Sequence, residues 1–189
     1  NWELLKPCIE SIYENVKGIS FEILVVDNAS TDGSVEKIKR YFPGVILSEN
    51  VTKFGFAKNN NINIKKASGR YLMLLNDDTL MLPGTLEKVI HFMDNHTDIG
   101  VTGCEMVYPN GEYQVASARK FRTLLSEFLI ETGMCRSWNY IHLNNNAAEF
   151  VDIDLCSEAG MIVRREAVEK VGYLDEQFFM YGEGADWCR

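Results

Sequence analysis

Apolar residues recur along this chain in two patterns, which predict alternating strands and helices. Strands are predicted at 21–26, 45–47, 71–75 and 99–107, and the run at 71–75 is uninterrupted in its apolar character, typical of a strand buried in a sheet. Apolar residues at helical spacing predict helices over 2–16, 35–41, 56–67 and 83–96. Strands that alternate with helices indicate an α/β fold, and we expect residues 71–75 to form its central strand, covered on both faces.

The pattern is less regular after residue 107. Pro109, Asn110 and Gly111 predict the turn of a hairpin into 112–116. Further helices are predicted at 121–130 and 164–171, the second ended by Gly172. Further strands are predicted at 150–155 and 160–163, whereas 131–148 has no clear pattern and its asparagines at 144–146 indicate a loop. We therefore expect one domain over residues 1–189, with a first strand missing before Asn1 and a last helix cut at Arg189.

Composition and charge narrow the possible functions. Of the 189 residues, 46% are hydrophobic, enough to bury a core. The 27 acidic and 19 basic residues give a net charge of −8, which argues against nucleic acid as a partner. The five cysteines include no CxxC pair and the three histidines form no ligand cluster, a pattern that favours a reducing, cytoplasmic compartment. No apolar run is long enough to span a bilayer, and peripheral membrane association stays compatible with the sequence.

Two neighbouring carboxylates follow the apolar run at 71–75. Asp77 and Asp78 come directly after Asn76, where the predicted strand ends. Open α/β sheets bind ligands at the carboxyl ends of their strands, and adjacent carboxylates repel each other unless a cation lies nearby. Because Mg²⁺ and Mn²⁺ prefer oxygen ligands and bridge to phosphates, one interpretation is a metal–phosphate site at Asp78. The other is a polar turn that caps the next helix.

A second polar segment follows the strand predicted at 21–26. It reads Asp27-Asn28-Ala29-Ser30-Thr31-Asp32-Gly33-Ser34. Its carboxylates and amides could bind a nucleobase or ribose, or Asp32 or Ser34 could simply cap the helix at 35–41. Since Asp27 and Asp78 both come where buried strands end, we expect them to share one rim of the sheet.

A third polar segment covers residues 50–61. Gly55 has no side chain and would allow a close approach of another backbone. The asparagines at 59, 60 and 63 are poor helix formers in a predicted helix. They either form hydrogen bonds with something specific or make up a solvated face.

Aromatic residues and carboxylates interleave over the last segment, 173–189. Aromatic faces pack on sugar rings, and a carboxylate such as Glu183 can accept a hydroxyl proton. The alternative is a loop packed on the core by Phe178 and Phe179, with Glu183 capping the last helix.

Four blocks of this sequence, in this order, resemble the inverting GT-A glycosyltransferases of the large family that includes bacterial rhamnosyltransferases (glycosyltransferase family 2-like). The blocks are Val25 to Gly33; Asn50, Gly55-Phe56-Ala57 and Asn60; Leu74 to Thr79; and Gly160 to Glu166 with Phe178 to Glu183. Each block is weak alone, but the ordered set is specific and covers nearly the whole chain. The resemblance implies a Rossmann-like mixed sheet flanked by helices.

The resemblance also implies which residues bind the donor. It divides the chain into a nucleotide-sugar-binding half, about 1–107, and an acceptor-binding half, about 108–189. Asp27 would contact the nucleobase, and Asp78 would bind Mn²⁺ or Mg²⁺ on the donor diphosphate. The other nucleotide-sugar-binding residues would be Asn28, Ser30, Asp32, Gly55, Asn60, Asn76 and Asp77.

Three positions depart from the family pattern. Asn76 replaces the first Asp of the DxD-type motif, and Gly184 replaces the second acid of a late acidic pair. Glu158 stands where similar sequences often carry Gly. The leading candidate for the catalytic base is therefore Glu183, with Asp186 in reserve.

The implied reaction is transfer of a sugar, with inversion, from a dTDP- or UDP-sugar to a hydroxyl of a glycan or lipid-linked acceptor. Rhamnose is one candidate sugar, and bacterial surface polysaccharide assembly, in the cytoplasm or at the inner face of the membrane, is the expected setting by analogy. A non-catalytic nucleotide-sugar or glycan-binding module is the alternative, favoured by Gly184 and Glu158. A phosphatase is disfavoured because Asn76 replaces the nucleophilic Asp, and a nucleotidyltransferase because no Gly-rich loop is present.

Overall fold

The computed structural model describes residues 1–134, 140–141 and 150–189. Its helices are α1 (Trp2–Asn15), α2 (Ser34–Tyr41), α3 (Phe56–Lys66), α4 (Thr85–Asn95), α5 (Leu124–Glu131), α6 (Arg165–Val171) and α7 (Glu183–Trp187). Its strands are β1 (Leu24–Asp27), β2 (Ile46–Glu49), β3 (Tyr71–Leu75), β4 (Val101–Gly103), β5 (Ala118–Arg119), β6 (Leu155–Cys156) and β7 (Gly160–Arg164). Within these residues, no helix has the length and apolar character needed to cross a membrane.

The strands form a mixed set of pairings. β1 runs parallel to β2, with Asp27 opposite Glu49 at the carboxyl end. β7 lies between β3 and β4 and is antiparallel to both. The prediction of residues 71–75 as the central strand is therefore wrong for this three-stranded sheet, in which β7 is central. Long-range pairing decides this order, and local periodicity carries no information about it.

The core lies on both faces of that sheet, as predicted for residues 71–75. Leu72 and Leu74 point to one face, where they pack with Met161, Val163 and residues of α3 and α6. The alternate residues Tyr71 and Met73 pack on the other face against α4. This division follows from the two-residue period of a strand.

The first four predicted helices are confirmed to within two residues at each end. The strand predicted at 99–107 is shorter: β4 ends at Gly103, and an isolated bridge between Val107 and Tyr113 follows. That bridge surrounds the predicted turn, where Gly111 N donates to Tyr108 O at 2.8 Å, so the hairpin is confirmed. The strand predicted at 150–155 contracts to β6, and the loop predicted at 144–146 lies outside the described residues.

Hydrogen bonds fix the last segment of the chain against α3. Asn61, only 2% exposed, donates to Leu174 O at 2.8 Å and accepts from Leu174 N at 3.1 Å. Phe56 N donates to Phe179 O at 2.9 Å. The segment between α6 and α7 is thereby held beside the start of α3. The last helix ends at Trp187, before the end of the chain at Arg189.

Candidate active site

The loop after β1 is built around Asp27 and Asn28. Asp27 is the last residue of β1 and is 7% exposed, and its carboxylate accepts from Ser30 N at 3.0 Å. Asn28 donates to Phe54 O at 3.0 Å and accepts from Phe54 N at 2.8 Å. Asn28 therefore ties this loop to the segment that precedes α3.

Asp32 and Ser34 lie where α2 begins, but neither is the N-cap residue. That position belongs to Gly33, whose φ of 74° is left-handed. The exposed Asp32 carboxylate accepts from both Ser34 N at 3.1 Å and Ser34 Oγ at 2.5 Å. The hydrogen bonds from Ser34 lower the pKa of Asp32, and a backbone hydrogen bond from Trp2 adds to the effect. Asp32 thus supports the first turn of α2 and reaches the start of α1.

The loop after β3 also lies at the start of α1. Asp77 Oδ2 is 3.6 Å from the backbone nitrogen of Asn1, and Cys8 Sγ is 3.6 Å from Asn76 O. Burial raises the pKa of Cys8, and the charges of Asp77 and Asp78 raise it further. The loops after β1 and β3 therefore approach the same end of one helix. This supports the predicted common rim for the loops of Asp27 and Asp78.

The loop after β3 carries Asp78, the metal ligand that the sequence predicts. Asn76, Asp77 and Asp78 are all exposed, and Asp78 makes no hydrogen bond or ion pair with another residue that the structure describes. Across those residues, no group of three or more His, Cys, Asp or Glu side chains is arranged to hold a metal. Asp78 and Asp77 fit Mg²⁺ or Mn²⁺ as oxygen ligands, and phosphate or water oxygens would complete the coordination.

The third polar segment contributes mainly to structure. An ideal Cβ on Gly55 would lie 2.4 Å from Phe179 O, so the predicted close backbone approach is made by the chain's own last segment. Asn60 donates to Phe56 O at 3.0 Å within α3. Asn59 donates to Phe54 O at 3.2 Å and accepts from Asn50 Nδ2 at 2.8 Å. We call residues 27–34, 50–55 and 76–79 the donor-side loops, after the role that the resemblance implies for them.

Glu183 is buried at the start of α7. It is 3% exposed, and its Oε2 is buried without a hydrogen-bond partner among the described residues. The alternative role as a helix cap is wrong, because Gly182 is the N-cap residue and no side chain caps α7. Packing of Phe179 on the core is also wrong, since Phe179 is 68% exposed. The reserve candidate, Asp186, is exposed on α7.

Glu158 lies against Gly184, the residue that follows Glu183, and Arg119 lies beside Glu158. An ideal Cβ on Gly184 would coincide with the carboxyl group of Glu158, at 1.9 Å from Oε1. Glu158 Oε2 is 3.8 Å from Arg119 Nη2, and Arg119 Nε is buried without a partner among the described residues. We call Arg119, Glu158 and Glu183 the late acidic cluster.

Comparison with known proteins identifies the family. The sequence model of the family described as Glycosyl transferase family 2 matches residues 1–172. The chain belongs to glycosyl transferase family 2. It is 24% identical over 191 residues to the O-antigen biosynthesis protein RfbC of Myxococcus xanthus, a match that covers 97% of this chain and 14% of that protein.

Solved structures show that this family 2 domain has the GT-A fold. A mannosyltransferase from Pyrobaculum calidifontis in complex with GDP-Man and Mn²⁺ gives a TM-score of 0.67 at 18% identity, over 99% of this chain and 47% of that one. S. aureus TarS 1–349 in complex with UDP-GlcNAc gives a TM-score of 0.62 at 20% identity, over 97% of this chain and 48% of that one. The family 2 domain thus spans about half the length of these two structures.

Sequence reasoning found the acidic residues of this domain but missed their neighbours. It assigned no role to Arg119, which reaches Glu158 only because β5 pairs with β6. It also missed Asn61, which is buried in α3. The sequence signal was its helical spacing with Ala57 and Ile64, which places this asparagine on the apolar face of the helix. Asn28, Ser30 and Asp32 do lie on one loop with Asp27, as predicted.

Proposed function

We propose that this family 2 domain transfers a sugar from a nucleoside-diphosphate sugar to a hydroxyl of a glycan or lipid-linked acceptor, with inversion at the anomeric carbon. The observation that carries the proposal is the carboxylate of Asp78, exposed just past the carboxyl end of β3. Ligands of open α/β sheets bind at such strand ends. The proposed setting is surface polysaccharide assembly, supported by the O-antigen relative.

The donor-side loops would bind the nucleotide sugar. Asp27 would contact the nucleobase and Asp78 would bind Mn²⁺ or Mg²⁺, with Asp77 beside it. The metal, when bound, supplies positive charge that stabilises the leaving diphosphate. The remaining donor contacts are assigned to Asn28, Ser30, Asp32, Gly55, Asn60 and Asn76.

Glu183 is the proposed base, and Asp186 the reserve. An acceptor hydroxyl gives its proton to Glu183 while its oxygen forms a bond to the anomeric carbon. The bond from that carbon to the diphosphate oxygen breaks, and the electron pair leaves with the diphosphate. A buried carboxylate with an unpartnered oxygen is costly to the fold, which favours a functional reason for its presence.

The proposed donor is a dTDP- or UDP-sugar, with dTDP-rhamnose as one candidate. The TarS complex holds UDP-GlcNAc, which supports a uridine donor, whereas the mannosyltransferase complex holds GDP-Man. The donor panel should therefore include guanosine sugars. A lipid-linked acceptor would bring this domain to the inner face of the membrane.

Calorimetric titration with UDP-, dTDP- and GDP-sugars, with and without Mn²⁺, tests this proposal. We expect metal-dependent binding of one donor, lost in Asp78→Asn and kept in Asp98→Asn. Asp98 is a matched control because it is an exposed carboxylate between α4 and β4. If donor affinity were the same with and without Mn²⁺, and the same in Asp78→Asn, the proposed metal site would be contradicted.

A non-catalytic binding module is the second candidate, and the burial of Glu183 favours it, because an enclosed carboxylate has less access to an acceptor. Release of nucleoside diphosphate from the bound donor distinguishes the two. Donor binding without any release or transfer would support the binding module.

A further inference from the structure

The carboxylate of Glu158 occupies the place of a side chain at position 184. An ideal Cβ on Gly184 would lie 1.9 Å from Glu158 Oε1, 2.4 Å from its carboxyl carbon and 2.6 Å from its Cγ. Real Cβ atoms do not approach other atoms this closely, so a side chain at position 184 and the observed Glu158 conformation exclude each other. Gly184 has no left-handed φ, so the contact with Glu158, rather than its backbone conformation, is what requires glycine.

Glu158 is also connected to the surroundings of Glu183. It lies in the turn between β6 and β7, and its Oε2 is 3.8 Å from Arg119 Nη2. The hydrogen bond to Cys188 and burial raise the pKa of Cys156, and the Glu158 charge adds to this increase. A negative charge therefore lies between β6 and α7, next to the residue that follows Glu183.

The polar groups here are buried without complete partners. Glu183 is only 3% exposed, and its Oε2 has no hydrogen-bond partner among the described residues. The same holds for Arg119 Nε. Buried polar atoms are normally hydrogen-bonded, so these two atoms could each accommodate a further polar partner.

We propose that Glu158 contacts the acceptor: its carboxylate takes the place of a side chain at position 184 and accepts a hydrogen bond from an acceptor hydroxyl next to the one that Glu183 deprotonates. A sugar carries hydroxyls on neighbouring carbons, so one hydroxyl can donate a hydrogen bond to Glu158 while the next gives its proton to Glu183. Arg119 balances part of the negative charge, which reduces the repulsion between Glu158 and Glu183. This inference rests on the proposed transferase function.

A reciprocal exchange of side chains tests where the Glu158 carboxylate lies. Gly184→Asp in the wild-type chain displaces the Glu158 carboxylate and adds a second negative charge beside it, and we expect the melting temperature to fall by about 2–4 °C. In Glu158→Ala the space is empty, so Gly184→Asp should cost little there. An equal fall in both backgrounds would overturn the placement.

The same variants test the role in transfer, with p-nitrophenyl glycosides as acceptors and the donor that the calorimetric panel selects. We expect Glu158→Ala to lower kcat/KM for the acceptor about 10- to 100-fold while KM for the donor stays unchanged. Glu158→Ala with Gly184→Asp should recover much of this loss. Glu158→Ala with Gly184→Asn, which has the same shape without the charge, should not recover it.

The outcomes separate this inference from the proposed function. Equal recovery with Asp and Asn, or a change in melting temperature without a change in acceptor kcat/KM, would overturn the acceptor contact. Glu169→Gln is the control, because Glu169 is exposed on α6. If the wild-type chain turned over no donor, the proposed function would fail, and with it the acceptor contact, whereas the melting comparison would still decide the placement of Glu158.

Discussion

The loop after β3, one of the donor-side loops, and the late acidic cluster both carry carboxylates, but in opposite environments. In the donor-side loops, Asp77 and Asp78 are exposed, and backbone and amide hydrogen bonds hold the loops in place. In the late acidic cluster, Glu183 is 3% exposed with one oxygen unpartnered. One region leaves its charge to water, and the other withdraws it from water.

This difference suggests how the two regions divide the work. An exposed carboxylate costs the fold little and can bind a hydrated cation as it arrives with its phosphates. A buried carboxylate in low dielectric interacts more strongly with what it contacts, which suits proton transfer but costs stability. We therefore expect substitutions in the two regions to separate binding from stability.

The largest expected effect is that of Glu183→Gln. Loss of a catalytic base lowers the rate about 10²- to 10⁴-fold, so kcat should fall by this factor while donor binding stays. Because the substitution removes a buried charge, the melting temperature of Glu183→Gln should be the same as that of the wild type or higher. Steady-state kinetics and thermal unfolding measure both, with Glu169→Gln as the control, and full activity in Glu183→Gln would show that another group is the base.

Gly55→Ala should have the next largest effect, because Gly55 lies where the donor-side loops meet the last segment. The new Cβ would lie 2.4 Å from Phe179 O and 2.9 Å from its Cα. Overpacking against backbone costs about 1–3 kcal/mol, measurable as a loss in the free energy of unfolding in urea. Gly44→Ala is the matched control, since the nearest atom to its Cβ is Tyr13 Oη at 3.7 Å; equal losses in both variants would contradict the close contact.

Glu22→Gln should have the smallest effect, because Glu22 is exposed and only its Oε1 accepts hydrogen bonds from the next segment. It accepts from Ser68 N at 2.6 Å, Ser68 Oγ at 2.9 Å and Gly69 N at 3.2 Å, at the turn that leads into β3. The backbone hydrogen bond from Ser68 lowers the pKa of Glu22 below its ordinary 4.5. After allowance for solvent screening, the free energy of unfolding of the variant should be lower than that of the wild type by about 0.5–1 kcal/mol at pH 7.

The pH dependence of this difference follows from the direction of the shift. A lowered pKa in the folded state means that Glu22 contributes stability above its ordinary pKa of 4.5 and loses it as the pH falls through the lower folded value. Urea unfolding at pH 7 and pH 3 should show that the difference in free energy of unfolding between the wild type and Glu22→Gln becomes smaller at pH 3. A gap of constant size would mean that the charge of Glu22 is not involved.

Some of the expectations from the sequence depended on local chemistry, and these agree with the structure. The helices α1 to α4 agree closely with the prediction, because apolar spacing acts over a few positions. The carboxylates of Asp77 and Asp78 were placed at a strand end for the same reason. The short strands β5 and β6 were not separable from loops, since each has only two residues and is defined by its pairing.

The amino-acid sequence by itself determined the α/β class, the family and the polar segments that follow the strands, because periodicity and ordered motifs are written in neighbouring residues. Only the tertiary structure decided that β7 is the middle strand, that Phe179 lies against Gly55, and that Glu158 fills the space beside Gly184. Each of these contacts joins residues that are far apart along the chain. Strand pairing and core packing bring them together, and no local pattern records the result.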